Sequence, residues 1–267
     1  MAKIGFIGMG NMGYAMLKGV LHHFEPSEII FTDVNEDRME AVAQETGVSY
    51  AFSNAECANK AKYIVLAIKP QFYPQVLKNI QNVVREDQVV ISIAPGIAID
   101  TIKMTLGSDA RIVRAMPNTP ALVGEGMTGV CYEDGMLTVT EIEFIETFFA
   151  SFGKMRKVDE KLLSAITCVS GSSPAYVFMF IEALADSGVK YGLARKEAYE
   201  FAAQTVLGAA KLMLETGEHP GVLKDQVCSP AGTTIAGVAA LEEYGLRNAV
   251  LKATDACYAK AEGFKVN

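Results

Sequence analysis

The stretch "IGFIGMGNMGYAMLKG", Ile4 to Gly19, decides the fold. Its first four residues, Ile4 to Ile7, are too few for a stable helix and read as a buried strand, whereas Met12, Met16, Leu17 and Val20 recur at helical spacing. Gly8, Gly10 and Gly13 therefore fall in a strand-to-helix turn.

Outward from this turn, short β-like runs alternate with helical ones as far as Val158, the pattern of a βαβ sheet with a mostly parallel core. Strands are predicted at Lys3–Gly8, Glu28–Asp33, Val48–Ala51, Tyr63–Ile68, Gln88–Ile93, Arg111–Met116 and Gly126–Tyr132. Runs such as "YIVLAI" and "VVISIA" are continuously apolar, as strands covered on both faces must be. From Leu162 onward no strand is evident, and Ala, Leu and Met dominate. The expected architecture is α/β: a Rossmann-type doubly wound sheet over residues 1–158, followed by an all-helical dimerisation domain over 159–267. "SGSSPAY" places Ser172 or Ser173 as an N-cap, with Pro174 at the first helical position. The helix around Phe201–Leu214 is apolar or small over most of its circumference and needs a partner beyond one buried stripe; an intersubunit interface fits this better than a central core helix.

A G-x-G-x-x-G run is a weak signal alone, but after a strand and before a helix it fits a dinucleotide site. The glycines permit a tight turn and close approach to a pyrophosphate, whose charge the helix N-terminus favours. The same fingerprint asks for an acidic residue ~20 residues on, to bond ribose hydroxyls. Asp33 meets it, and its carboxylate would repel a 2′-phosphate, so the sequence leans toward NADH over NADPH; Arg38 partly offsets this. An alternative role for Asp33 is N-cap of the following helix. Lys69 in "AIKPQ" and Asn118 and Thr119 in "MPNTP" lie at strand ends where ligands of such sheets collect, although a solvated lysine and a rigid turn explain them equally. Near the C-terminus, Ser229, Pro230 and Gly232 break a helix and a new one starts at Gly232–Thr234. Backbone N–H groups beside the Ser229, Thr233 and Thr234 hydroxyls suit a small carboxylate, or form an ordinary capped start.

Composition narrows the function classes. A net charge of −7 with no long basic run argues against nucleic acid. The five cysteines include no C-x-x-C pair and the three histidines are dispersed or adjacent, so neither a disulfide frame nor a metal site is expected. No leader-like segment precedes the first strand, and no run reaches the ~18 uninterrupted apolar residues of a membrane helix; the expectation is a cytoplasmic protein without a membrane.

Taken in order along nearly the whole chain, "GFIGMGNMG", "AIKP", "MPNTP", "SGSSPAY" and "LKDQVCSPAGTTIAGVAALE" resemble pyrroline-5-carboxylate reductase, the last enzyme of proline synthesis. The last stretch is the most specific. This resemblance implies a Rossmann domain and a helical dimerisation domain, with the active site where one subunit's cofactor cleft meets its partner's helices. It also implies dimers that can pack further into rings, and turnover of pyrroline-5-carboxylate to proline with NADPH or NADH. By the same resemblance Thr234 bonds the substrate ring nitrogen, and Ser229, Gly232 and Thr233 hold its carboxylate. Cofactor contacts carry over to Gly8, Met9, Gly10, Asn11, Met12, Gly13, Asn54, Ala67, Lys69 and Pro70. Two departures stand out: Ser173 replaces a usual glycine, and Asp33 stands where many members carry serine or other neutral or basic groups. The glycine fingerprint also resembles β-hydroxyacid dehydrogenases, but their catalytic lysine is followed four residues on by asparagine, and Lys211 is followed at that spacing by Glu215. A nucleotide sensor without turnover is the remaining rival, and it has no need of a second-ligand anchor at Ser229–Thr234.

Overall fold

Apolar residues on both faces of short strands require helices above and below the sheet, and the computed structural model, which describes residues 2–263, has that layering. The strands are β1 (Ala2–Ile7), β2 (Ile29–Thr32), β3 (Ser49–Tyr50), β4 (Ala61–Leu66), β5 (Val89–Ser92), β6 (Arg111–Met116), β7 (Gly126–Cys131) and β8 (Gly153–Lys157). They form one sheet in the order β3-β2-β1-β4-β5-β6-β7-β8. Every pairing is parallel except β6 with β7. The connecting helices are α1 (Asn11–Val20), α2 (Glu36–Thr46), α3 (Asn54–Lys60), α4 (Tyr73–Ile80), α5 (Ile99–Leu106) and α6 (Val139–Ala150). Ile4 and Phe6 pack with Met16, Leu17 and the Phe148, Phe149 and Phe152 cluster on one face; Ile7 and Leu66 pack with Tyr73 and Leu77 on the other.

All seven predicted strands are present, some shortened at their ends, and β8 is an addition. "GKMRK" carries too short an alternation to read as a strand. It pairs with β7 because Gly153, at φ +149°, lets the two backbones close: a β-carbon there would stand 2.0 Å from the Gly126 carbonyl oxygen. Lys154, Arg156 and Lys157 then mark an edge strand, where charge discourages further pairing.

Beyond the sheet lie α7 (Leu163–Ile166), a π-turn (Thr167–Gly171), α8 (Ser173–Lys190), α9 (Arg195–Thr216), α10 (Pro220–Val227), α11 (Thr233–Glu243) and α12 (Leu246–Glu262). The chain falls into two compact units, residues 2–172 with 257–263, and residues 173–256. By packing, residues 159–172 go with the sheet. Leu163 and Cys168 are buried with the sheet, and Ile166 closes to where a β-carbon of Gly129 would stand 2.8 Å from its Cδ1. Ser172 is the bend between the π-turn and α8, and its backbone angles (φ −94°, ψ −27°) are not the extended ones of an N-cap. The run Glu160–Lys190 is by length and composition alone apolar enough to cross a membrane, with a mean hydropathy of 1.3 in its most apolar window. The helical unit buries little of its own: Ala185, Ala198 and Ala202 are its core, while Phe178, Met179, Phe201, Leu207 and Leu214 are exposed.

The placement of α1 depends on Gly19, because a β-carbon there would lie 2.4 Å from Phe152 Cβ. Gly19→Ala should cost about 1–3 kcal/mol through overpacking, lowering Tm by roughly 2–4 °C per kcal/mol. Thermal unfolding with an unchanged Tm would contradict this packing.

Candidate active site

The three glycines of the first turn are there for different reasons. Gly8 has φ +101°, and a β-carbon on it would stand 2.5 Å from the Ala67 carbonyl oxygen. On Gly13 it would stand 2.2 Å from the Gly8 carbonyl oxygen. Both are demanded by the protein's own backbone. Gly10, at φ −68°, has nothing within 4 Å of such an atom, so the fold itself would admit a side chain there. It opens instead onto a hollow, and α1 starts beyond it without a side-chain cap or an acidic residue in its first turn. This is a cradle that a side chain would fill, at a helix end suited to a pyrophosphate, and the residues fit a dinucleotide.

β1 is bonded to β2 on one side and β4 on the other, so connections leaving the carboxyl end of β1 diverge here and leave a crevice. Two hollows occupy it, of about 350 and 610 Å³, which share Gly10, Ala67 and Lys69. The first takes in Gly8, Asp33 and Asn54; the second takes in Asn11, Met12, Pro70 and, from farther along the chain, Met116, Thr119 and Gly171. Met9 and Gly13 line neither: Met9 is buried in the core, and both residues shape the turn. The Lys69 ammonium makes no ion pair among the described residues.

Asp33 accepts hydrogen bonds from the Met9 N–H (2.5 Å) and the Asn35 N–H (3.0 Å) while facing the first hollow. It does not cap α2. That role falls to Asn35, whose Oδ1 accepts from the Arg38 N–H at 2.9 Å. Asn118 lines the second hollow, but both ends of its amide are engaged: it donates to the Ser170 carbonyl (3.1 Å) and accepts from the Met127 N–H (2.9 Å), tying the π-turn to β7. Thr119, exposed beside it, keeps its hydroxyl for the second hollow. Gly171 was not among the expected site residues, although it lies in the "SGSSPAY" run that pointed to this region.

In the helical unit, Ser229, Gly232, Thr233 and Thr234 come together in one turn. The Gly232 N–H donates to the Ser229 carbonyl at 3.0 Å. Pro230 at the second position and Ala231 at φ +57° at the third give the pattern of a type II turn. Ala231 is the single non-glycine residue with positive φ among those described. A β-carbon on Gly232 would lie 2.4 Å from Ser229 Oγ, so glycine is what lets that hydroxyl fold over the mouth of α11. Thr233 and Thr234 are the first residues of α11, whose first turn holds no acidic residue and no side-chain cap. Three hydroxyl-bearing residues thus flank the first N–H groups of α11, a helix end where a carboxylate is favoured.

Residues 160–264 match the family described as "Pyrroline-5-carboxylate reductase dimerisation", and residues 3–96 match "NADP oxidoreductase coenzyme F420-dependent". Pyrroline-5-carboxylate reductase of Escherichia coli (strain K12) is 46% identical over 262 residues, 97% of each chain. That of Methanosarcina acetivorans is 42% identical over 259 residues, 95% of this chain and 96% of its own. The chain belongs to the pyrroline-5-carboxylate reductase family. The crystal structure of Plasmodium falciparum pyrroline carboxylate reductase, with NADP bound, superposes with a TM-score of 0.90 at 32% identity, covering 99% of this chain and 98% of that one. Family membership agrees with the absence of the dehydrogenase lysine–asparagine pair: Lys211 is exposed and lies 3.7 Å from Glu215 in an ordinary helix-surface ion pair.

Alanine in the left-handed region costs about 1 kcal/mol, only partly offset by its smaller entropy loss on folding. Ala231→Gly should therefore stabilise the protein by about 0.5 kcal/mol, read as a higher denaturant midpoint; a lower midpoint would refute the strained turn.

Proposed function

We propose that the protein reduces the cyclic imine 1-pyrroline-5-carboxylate to L-proline by hydride transfer from NAD(P)H, the last step of proline biosynthesis. The observation that carries this reading is that a glycine-turn cleft and an arginine-free carboxylate cradle occur in one chain of this family. When bound, the reduced nicotinamide supplies the hydride that the imine carbon accepts. Gly10, Asn11 and Met12 would hold the pyrophosphate, Asp33 and Asn54 the adenosine end, and Ala67, Lys69 and Pro70 the wall beside the nicotinamide. Gly8, Met9 and Gly13 keep the turn in shape.

Ser229, Gly232 and Thr233 hold the substrate carboxylate, and Thr234 bonds the ring nitrogen. A threonine hydroxyl is a poor acid, so its part is to orient; the proton comes with an already protonated imine or through water. Fixing ring and carboxylate contributes through orientation, worth up to ~7–11 kcal/mol in well-ordered systems. NADH is the favoured donor, because the Asp33 carboxylate faces the hollow where a 2′-phosphate would stand.

The exposed apolar faces of α8 and α9 are read as a surface for a second copy, supported by the dimerisation family match that spans them. The part of the apolar run Glu160–Lys190 that forms α8 is read as part of this surface and not as a membrane span, and dimers are the unit from which any ring would be built. A cytoplasmic enzyme without nucleic-acid partners fits the charge of −7.

Initial rates with pyrroline-5-carboxylate at matched NADH and NADPH should show both oxidised, NADH faster. No oxidation of either would return the sensor reading, and faster NADPH would remove Asp33 from cofactor choice. Thr234→Ala should lower kcat by about 10- to 100-fold, the range of one lost hydrogen bond to a charged group, with NADH affinity unchanged; undiminished turnover would take Thr234 out of the mechanism.

A further inference from the structure

Asp33 and Arg38 grip the same residue of the glycine turn from opposite sides. Asp33 accepts from the Met9 N–H, and the Arg38 Nε–H donates to the Met9 carbonyl oxygen at 3.2 Å. A carboxylate and a guanidinium are thereby fixed on the two peptide groups of one residue, beside the hollow that Asp33 lines.

The guanidinium is held in a second way. Its central carbon lies 4.5 Å from the centroid of the Tyr14 ring, on α1, a cation–π contact that holds the guanidinium over the ring. The ring is itself anchored: the Tyr14 hydroxyl donates to Glu45 Oε1 at 2.6 Å, and Lys18 Nζ reaches the same oxygen at 3.1 Å. Glu45, the carboxylate that would otherwise neutralise Arg38, is engaged by Tyr14 and Lys18. Asp33 is engaged by two backbone N–H groups. Arg38 consequently makes no ion pair among the described residues, and its two terminal amino groups have no hydrogen-bond acceptor there. A half-buried, oriented fork with both ends unspent matches the two-point geometry of a phosphate.

Building on the dinucleotide reading of the cleft, we infer that Tyr14 and Glu45 are positioning residues that set cofactor choice. They hold Arg38 where it receives the 2′-phosphate of NADPH, against the repulsion of Asp33. The pair Asp33 and Arg38 then makes one subsite with two settings, a carboxylate for ribose hydroxyls and a guanidinium for phosphate. Neither Tyr14 nor Glu45 touches the cofactor in this scheme; removing Tyr14 releases Arg38 to solvent and to Glu45 or Asp33, and removing Glu45 frees the ring that holds it.

The test compares two nucleotides that differ by one group, 2′,5′-ADP and 5′-AMP, titrated calorimetrically into the intact protein. Arg38→Ala should weaken 2′,5′-ADP about tenfold or more, the effect of losing charged hydrogen bonds, and leave 5′-AMP within about twofold, the scatter of a neutral surface change. Tyr14→Leu should give a smaller loss in the same sense, and Tyr14→Phe, which keeps the ring but frees Glu45, a loss smaller still. The ratio of kcat/KM for NADPH to that for NADH should fall in the same order. Unchanged 5′-AMP binding serves as the control for folding. Equal weakening of both nucleotides, no weakening of either, or a wild type that binds 5′-AMP but not 2′,5′-ADP overturns the inference while leaving the cleft intact. A wild type that binds neither removes the dinucleotide reading itself, and this inference with it.

Discussion

Everything at the site depends on where β1 sits. It is paired in parallel on both edges, with β2 and with β4, and the chain leaves its carboxyl end with neighbours on both sides. The Gly8 N–H donates to the Thr32 carbonyl at 2.9 Å, and the Ala67 N–H to the Ile7 carbonyl at 2.8 Å, so the exits of three strands are stitched together before any of them turns away. The chain must then reverse within the width of one strand, beside the Ala67 carbonyl. That constraint selects a residue without a side chain at Gly8, and the helix that follows can close onto the turn only if Gly13 is also bare. Asp33 and Lys69 reach the cleft because they lie just past the ends of the strands flanking β1, Asp33 directly after β2 and Lys69 three residues after β4.

Gly10 separates fold from function at the level of one atom. The backbone around Gly8 and Gly13 is full, and their substitution would fail in any protein of this topology. The space around Gly10 is empty, its φ is one that any residue adopts, and glycine in that setting has a conformational cost with no structural return. The same contrast recurs in the helical unit. Gly232 is bare because Ser229 Oγ needs its space, while Ala231 occupies a conformation better suited to glycine. In both turns, the position of a hydroxyl or an N–H toward a ligand explains what backbone sterics alone do not.

The legible parts of this chain were those coded locally. Strand, turn and helix around Gly8–Gly13 follow from periodicity and glycine spacing, and so do seven strands and the helical second half. Contacts between distant segments were not legible. In "TDVNEDR" Thr32, Asp33, Asn35 and Asp37 all have capping chemistry; only the tertiary contact between Met9 and Asp33 shows that Asn35 caps while Asp33 braces the turn. Asn118 looked like a ligand donor because its partners, Met127 and Ser170, are set by tertiary packing. The strand β8 went unseen because its pairing rests on a backbone closure at Gly153 rather than on apolar alternation. The strain at Ala231 was hidden for the opposite reason: nothing in an alanine announces a positive φ.

The helical unit poses an energetic question that its sequence already raised. Its buried apolar residues are three alanines, side chains that contribute little transfer free energy, whereas burial of a Phe, Leu or Met side chain contributes about 1.5–3 kcal/mol. Those larger residues, Phe178, Met179, Phe201, Leu207 and Leu214 among them, face outward in a single chain. Ordering its long helices α8 and α9 costs backbone entropy of about 1–2 kcal/mol per residue, which three alanines do not offset. Covering those outward faces adds the apolar burial that this unit lacks in one chain, and the dimerisation family match over residues 160–264 supports self-association as the way it is covered. The turn at the start of α11, which is proposed to hold the substrate carboxylate, lies on this unit, so anything that stabilises the unit by association would stabilise that turn with it.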